Sequence, residues 1–531
     1  MRAWLQTQYA DLGALNRQWG TAYAEWSQVM PELTDAAMAR TDDNYSAWAD
    51  FKAWMDVAFA RALRTGTDAL HRADPAALSA IEGGQVPGWG GYDYGRLAGS
   101  VDVMEIYDAG NATELAQAFN PALVTLRTSF GSGPAEAHAV WRSLLRGTKG
   151  MIVWDDADTV VNDDGSPGPR GRELSALVAR LRDVAPVLQA ARPHSDPVAI
   201  LYSQSSFRTR WMLDQRMKGA AWSARDAERE YDDNAWRAAR RQASGRLAEL
   251  GVMPRWLSSQ GVEAGALQDP SLRVLVLPHA IALSDTEVNE IRVFAARGGM
   301  VLADTEPGVF DGHSRRRAVL PQDLARLPLP LRPDADPSTP VMLGALAALL
   351  QAAGAAPGVA VQEPDGLTAT GVDVRRFVNG GVTLLMLQTA YPAGGTRPLH
   401  VPVPSGTAVR GLQATGLVRE PDRITLQLDG TVPTVLALSP APLPGPVLSA
   451  SMDGTRLTVV ATLDGPTAAA TTALRLRVLG PDGEPAQTLT LRLPGAGRHE
   501  VTLTQPGRWT VEVLDPLSGL SAAAVITVPP P

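Results

Sequence analysis

Four short apolar runs, separated by helical or loop segments, constrain the fold of this 531-residue chain more than any other feature. The runs are Leu78–Ile81, Val101–Ile106, Leu123–Leu126 and Met151–Trp154, and an amphipathic segment, Arg172–Ala191, closes the series. Short apolar strands that alternate with helical connections are typical of parallel sheets covered by helices. Four such units make about half of an eightfold barrel, so the sequence predicts an α/β fold that begins with a partial (β/α)8 barrel.

Two helices precede these units. Met1–Trp19 and Tyr45–Leu70 carry apolar residues at helical spacing, and together with the four units they form a first predicted domain, residues 1–192. The chain opens directly into the first helix, without the apolar core and cleavage site of a signal peptide. We therefore expect that sequence upstream of Met1 is missing.

A second α/β unit is predicted for residues 197–312. It lacks the GxGxxG and GxxxxGK[ST] motifs, so no nucleotide cofactor is expected. One strand ends in Pro278-His279 rather than in a Ser or Cys nucleophile, and a structural role for His279 is favoured over a functional one. The predicted elements are three strands (Val198–Tyr202, Arg273–Leu277 and Met300–Ala303) and two helices (Asn234–Leu250 and Asp285–Ala296).

The rest of the chain is predicted to be mostly β. A Pro- and Arg-rich linker, residues 313–340, leads to one helix and a set of strands in residues 341–440. A further set of alternating strands, residues 447–528, fits an Ig-like or fibronectin-like sandwich.

Composition excludes several classes of function. A net charge of -8 without a basic run argues against a nucleic-acid partner. The chain has no cysteine, and its seven histidines show no HxH or HExxH spacing, so neither disulfides nor a metal site are expected. No apolar run reaches the length of a membrane span, so no membrane partner is expected.

Two glutamates end neighbouring predicted strands: Glu82 closes the first run and Glu105 lies near the end of the second. Side chains alternate along a strand, so Val101, Val103 and Glu105 share one face. A carboxylate packed under helices would carry a large desolvation cost, whereas the mouth of a barrel is wet. We therefore expect Glu105 to point into the barrel, with Tyr107 on the same side.

Aromatic side chains surround these glutamates, and aromatic rings stack on sugars while carboxyl pairs cleave glycosidic bonds. Adjacent strands lie about 4.8 Å apart, so the two glutamates can approach the separation of about 5 Å that retaining glycosidases use. The expected substrate is a carbohydrate, with Glu105 as the first and Glu82 as the second candidate catalytic residue. The candidate substrate-binding residues are Trp89, Tyr92, Asp93, Tyr107, Arg127, Trp154 and Asp155.

An acidic loop follows the fourth run. Its spacing differs from that of an EF-hand, so a solvated loop is favoured over a calcium site. The residues in question are Asp155, Asp156, Asp158, Asn162, Asp163 and Asp164.

Several of these segments resemble glycoside hydrolase family 42 β-galactosidases. The resemblance rests on the opening WLQTQYADLGALNRQWGTAYAEWSQVMP and on FKAWMDVAFARAL, GGYDYGRL, VDVMEIYDAGN and GMIVWDD. The segment LVLPHAIALSDTEVNEIRVFAARGGMVLAD resembles the family's trimerisation domain, an amidotransferase-like fold without amidotransferase chemistry. The resemblance covers about Met1–Asp304 and implies β-galactosidase activity and a homotrimer.

Two departures from the family pattern bear on activity. The family's acid/base belongs to an Asn-Glu pair upstream of the opening segment, so this chain does not contain it. The family's nucleophile ends the seventh barrel strand, yet no Glu occurs between Pro121 and Gly131, where Arg127 or its neighbour stands instead. Three hypotheses therefore remain: a glycoside hydrolase that is part of a longer protein, an inactive relative that binds carbohydrate, and an oligomerisation scaffold.

Overall fold

The computed structural model describes residues 1–83, 92–107, 110–155, 159–224, 234–321, 324, 327–329, 339–464, 472–493 and 497–530. At the N-terminus the predicted single helix is two helices, because Tyr9 is extended and Asp11 caps a new start by accepting a hydrogen bond from the Ala14 amide at 2.6 Å. The N-terminal helices are α1 (Arg2–Gln8), α2 (Leu12–Trp19), α3 (Thr34–Met38) and α4 (Ser46–Ala73).

The four predicted βα units form one parallel sheet, called the first sheet below. Its strands lie in sequence order, each hydrogen-bonded to the next. The strands are β1 (Ala80–Ile81), β2 (Val103–Glu105), β3 (Val124–Ser129) and β4 (Gly150–Val153). The helices are α5 (Tyr94–Leu97), α6 (Ala112–Phe119), α7 (Gly133–Leu145) and α8 (Pro169–Ala190).

A second parallel sheet follows, after the short strand β5 (Arg192–Pro193). Its order is β12-β10-β8-β6-β7. The strands are β6 (Val198–Tyr202), β7 (Arg255–Ser258), β8 (Val274–Leu277), β9 (Ala282–Leu283), β10 (Met300–Ala303), β11 (Phe310–Asp311) and β12 (Leu327–Pro328), of which β9 and β11 pair separately. The helices are α9 (Gln204–Met217), α10 (Ala235–Glu249), α11 (Ser259–Glu263), α12 (Asp285–Ala296) and α13 (Pro340–Ala352).

The segment predicted as a linker, residues 313–340, differs from that expectation. Ser314 is fully buried, and β12 adds an edge strand to the second sheet beside β10. Helix α13 packs its leucines into the same core as β6, β8 and β10. The described part of this segment is therefore packed structure rather than a free connection.

One hydrophobic core joins the two parallel sheets. Met104 and Ile106, on and just after β2, belong to the same cluster as Val198 and Ile200 of β6. The outer face of β2 and the helices α5 and α6 thus pack against the second α/β unit. Glu105 lies on the opposite face of the first sheet, away from this shared core.

The C-terminal part is antiparallel. The strands β13 (Val372–Asn379), β14 (Val382–Thr389), β16 (Ala408–Gln413) and β19 (Thr434–Ser439) form one sheet with β5, and β15 (Thr396–Pro402), β17 (Val418–Arg419) and β18 (Arg423–Asp429) form another. Two more sheets enclose a core of their own: β20 (Val447–Asp453), β21 (Arg456–Thr462) and β24 (Arg498–Thr502) face β22 (Thr472–Leu479), β23 (Pro485–Leu493), β25 (Gly507–Leu514) and β26 (Ser521–Val528).

The predicted fold class is confirmed: parallel sheets with helices come first, and antiparallel sheets follow. Among the described helices, none combines the length and the apolar character that a bilayer crossing requires.

Candidate functional site

Glu105 is the last residue of β2 and lies where three strands of the first sheet end. Its side chain is buried, with the residue only 6% exposed. One carboxylate oxygen accepts a hydrogen bond from the Gly83 amide, just after β1, at 2.6 Å. The other accepts from the hydroxyl of Thr128 on β3. The carboxylate is therefore fixed from both sides by donors on the neighbouring strands.

The strand register defines the face on which Glu105 lies. Glu105 is paired with Leu126, and Thr128 follows two residues later, so all three share one face of the sheet. Met104 and Ile106 point the other way, into the core under the helices. Glu105 thus belongs to the face that a barrel would turn inward.

Three aromatic rings extend from this carboxylate across the sheet edge, and we call them the aromatic strip: Tyr107, Phe130 and Trp154. They follow β2, β3 and β4 in turn, and they are 46%, 52% and 47% exposed. The Tyr107 and Phe130 ring centroids are 5.6 Å apart and nearly perpendicular, and those of Phe130 and Trp154 are 6.4 Å apart. Burial, and then the negative charges of Glu105 and Glu82, raise the pKa of the Tyr107 phenol. The strip is therefore a continuous, half-exposed apolar surface beside two carboxylates.

Arg170, in the first turn of α8, holds the backbone under this strip. Its guanidinium donates to the carbonyl of Ser129 at 2.6 Å, to that of Gly131 at 2.8 Å and to that of Trp154. The side chain is buried, and of these three carbonyls that of Ser129 also accepts a hydrogen bond from the Trp154 amide at 3.1 Å. Arg170 thus fixes the loops that carry Phe130 and Trp154.

Some of the predicted site residues lie elsewhere. Tyr92 packs edge-on against Phe59 of α4, with ring centroids 5.5 Å apart. Asp93 is buried as the N-cap of α5 and accepts a hydrogen bond from Gln260 at 3.0 Å. Trp89 lies outside the described residues. The structure therefore places Tyr107 beside Glu105 and Trp154 at the far end of the aromatic strip. Glu82 is exposed just after β1, whereas Tyr92 and Asp93 make their contacts elsewhere.

Arg127 lies on the opposite face of β3 from Thr128 and forms an ion pair with Glu136 of α7 at 3.4 Å. It therefore faces the helices and not the aromatic strip.

Asp155 follows Trp154, and its carboxylate accepts hydrogen bonds from the amides of Thr159 and Val160, each at 2.9 Å. These bonds lower the pKa of Asp155 and give it a structural role in its loop. Asp156 and Asp158 lie outside the described residues. Among the residues that are described, no group of three His, Cys, Asp or Glu could hold a metal ion.

Thr128, Phe130 and Arg170 were missed by sequence reasoning. Thr128 and Phe130 could have been found by applying to β3 the alternation that identified Glu105. Arg170 gave no local signal, because its partners lie 16 to 41 residues away in the chain.

No protein-family model and no curated protein sequence matches the chain. Solved structures do match. A β-galactosidase from Bacillus circulans sp. alkalophilus has a TM-score of 0.58 at 15% identity, over 82% of this chain and 75% of that one. The GH42 β-galactosidase Gan42B from G. stearothermophilus has a TM-score of 0.58 at 13% identity over the same shares. The apo exo-carrageenase GH42 from Bacteroides ovatus has a TM-score of 0.56 at 14% identity, but this chain covers only 62% of its length. At these identities the comparisons show the fold that this chain shares with those proteins.

Proposed function

We propose that this chain carries the sugar-binding edge of a glycoside hydrolase of β-galactosidase type, which acts on O-glycosidic bonds as part of a longer protein. The observation that supports the proposal is the position of Glu105. It is a buried carboxylate, held by Gly83 and Thr128 on the inward face of the first sheet, at the start of an exposed aromatic strip.

Glu105 fits the role of nucleophile because hydrogen-bond donors from Gly83 and Thr128 hold both of its carboxylate oxygens in place. Glu82 follows the adjacent strand and is exposed, so it is the candidate for the second carboxyl group. The aromatic strip supplies the apolar surface on which the faces of sugar rings stack. Carbohydrate is thus the proposed partner of this edge.

The proposal is tested with Glu105→Gln in the full-length protein and an aryl galactoside as substrate. Gln keeps the shape and the acceptor toward the Gly83 amide but cannot form a glycosyl ester. We expect kcat to fall by about three orders of magnitude or more, with the melting temperature nearly unchanged. Full turnover in the variant would remove Glu105 from the mechanism, and global unfolding would return it to a structural role.

Thr128 offers a matched pair of controls. Thr128→Val removes the hydroxyl that donates to Glu105 but keeps the shape, whereas Thr128→Ser keeps the hydroxyl. We expect the Val variant to lose most of its kcat with little change in KM, and the Ser variant to retain it. Equal effects of both variants would show that packing, and not the hydrogen bond, matters at this position.

A second candidate function is carbohydrate binding without turnover. The residues at the end of β3 favour it. The resemblance implies a catalytic glutamate at the end of this strand, but this chain has Thr128 and Ser129 there instead. In that case aryl galactoside would be bound but not cleaved, and Trp154→Ala would abolish binding while Glu105→Gln would only weaken it.

A further inference from the structure

A cavity of about 710 Å³ lies where the helix side of the first sheet meets α10 and the antiparallel part of the chain. Eight of its described lining residues are arginines, and two, Glu249 and Asp373, are acidic. The chain as a whole has a net charge of -8, so this cationic lining is a local feature. Arg127, on the face of β3 opposite Thr128, contributes to it, which separates the cavity from the aromatic strip.

Two helices each present a pair of arginines to this space. Arg142 and Arg146 are four residues apart at the end of α7, and Arg237 and Arg241 are four residues apart on α10. Residues four apart on a helix are neighbours, so each pair presents two guanidinium groups side by side. Both pairs border the same cavity.

Two carboxylates, Asp373 in the cavity wall and Glu114 behind it, hold several of the guanidinium groups in place. Arg146 pairs with Asp373 at 3.0 Å and with Glu114 at 3.3 Å. Arg375 pairs with the same two carboxylates, at 2.7 and 3.1 Å. An arginine fixed in this way is preorganised, so a ligand would lose little free energy in ordering it.

Two further observations agree with an anion site. Burial lowers the pKa of His138, and the positive charges of Arg142 and Arg146 lower it further. A hydrogen bond to the Thr389 carbonyl acts in the opposite direction, but the pKa is lowered overall. The Nε atom of Arg127 is buried and makes no hydrogen bond to any described residue. The positive charges of Arg142 and Arg146 are thus felt by a histidine that lines the same cavity.

We propose that this cavity binds a small polyanion that carries at least two phosphoryl groups. The guanidinium fork matches the oxygens of a phosphate, and each phosphoryl group brings more charge than a carboxylate. The volume lies in the range of small-molecule sites and is too large for a single phosphate ion.

The test is calorimetric titration of the full chain with pyrophosphate, together with its melting temperature in pyrophosphate and in sodium chloride of equal ionic strength. We expect one site per chain, a higher melting temperature in pyrophosphate only, and binding at least about tenfold tighter than that of orthophosphate or sulfate. Absence of binding, or an equal effect of sodium chloride, would overturn the proposal.

Variants locate the site. Arg142→Gln combined with Arg241→Gln should weaken pyrophosphate binding by about tenfold or more, while Arg456→Gln combined with Arg508→Gln, which removes the same two charges from exposed positions on β21 and β25, should leave it unchanged. Arg142→Lys keeps the positive charge but loses the two parallel N–H donors of the guanidinium, so it should give an intermediate affinity. Because this change is conservative, it is the variant least prone to misfold. Equal affinity in all of these variants would place the anion elsewhere and refute the assignment.

Discussion

Asp50, a buried residue of α4, binds three side chains from different parts of the chain. It accepts a hydrogen bond from the Trp19 indole at 2.8 Å and another from the Tyr9 hydroxyl, and it lies 2.6 Å from Nδ1 of His313. Tyr9 also stacks on the His313 ring, with centroids 5.1 Å apart. These contacts attach the N-terminal helices to the loop that follows β11.

This cluster gives a pH dependence of stability. Burial lowers the pKa of His313, and the positive charge of Arg208 acts in the same direction. The negative charge and hydrogen bond of Asp50, together with the charge of Asp311, outweigh both effects. The net result is a pKa raised from 6.5 to about 9. Because the folded pKa is above the unfolded one, the stabilisation is complete below pH 6.5 and is lost as the pH rises through 9.

Thermal unfolding between pH 6 and 10 measures this contribution. We expect a loss of roughly 2 kcal/mol, less than the pKa difference alone implies because the side chain is 34% exposed. His313→Gln should flatten that part of the profile. A profile of the same slope in the variant would contradict the assignment to His313.

At the scale of single elements, the first turn of α8 determines how the aromatic strip is presented. Arg170→Met keeps an unbranched side chain but removes the donor to the carbonyls of Gly131 and Trp154, while the Ser129 carbonyl keeps its bond from the Trp154 amide. A carbonyl that loses its partner away from water costs about 1–3 kcal/mol, so we expect the strand ends to loosen. Hydrogen exchange over residues 129–155 should accelerate, and sugar binding should weaken with it.

Arg172→Met is the matched control on the same helix. Arg172 is exposed and donates to the Pro167 carbonyl at 2.8 Å, away from the aromatic strip. Its replacement should leave exchange over residues 129–155 unchanged. If both variants accelerate exchange equally, α8 as a whole and not Arg170 controls the loops.

The strands and helices that could be predicted are those that leave a hydrophobic pattern in the sequence. The strands of the first sheet are short apolar runs, and alternation along β2 placed Glu105 and Tyr107 on one face. Helix α9 was missed because it is rich in Gln, Ser and Arg and has buried polar side chains, such as Ser205 and Ser206, which donate to the Ala282 carbonyl together with the N-cap residue Ser203. Thr128 and Arg170 were missed because their roles depend on which distant segments lie beside them.

At the scale of the whole molecule, the proposed assembly is a homotrimer. The segment from β8 to β10 is the part that resembles a trimerisation domain, and the second sheet, with helices on its faces, provides a rigid body for such contacts. Light scattering at micromolar concentration should give three times the 56.3 kDa of one chain. A mass of 56.3 kDa, that of a monomer, would count against this proposal.

The first sheet is also expected to depend on the rest of the chain. Its helices α5 and α6 share a core with β6 and α10, and α7 and α8 share another with β13 and β14. Both edge strands, β1 and β4, are paired on one side only among the described residues, and unpaired edges invite aggregation. Residues 1–190 alone should therefore be poorly soluble or molten.

The two C-terminal sheets differ from the first sheet because they have a hydrophobic core of their own. The core between β20–β21–β24 and β22–β23–β25–β26 consists entirely of residues from 447 to 528, so this part keeps its core when it is cut free. Residues 440–530 should melt cooperatively, whereas residues 1–190 should bind a hydrophobic dye and show no cooperative transition. A sharp melt of the first fragment would mean that the parallel sheet is stable without the contacts made by Met104, Ile106 and Trp141, and that the shared cores described above contribute little to its folding.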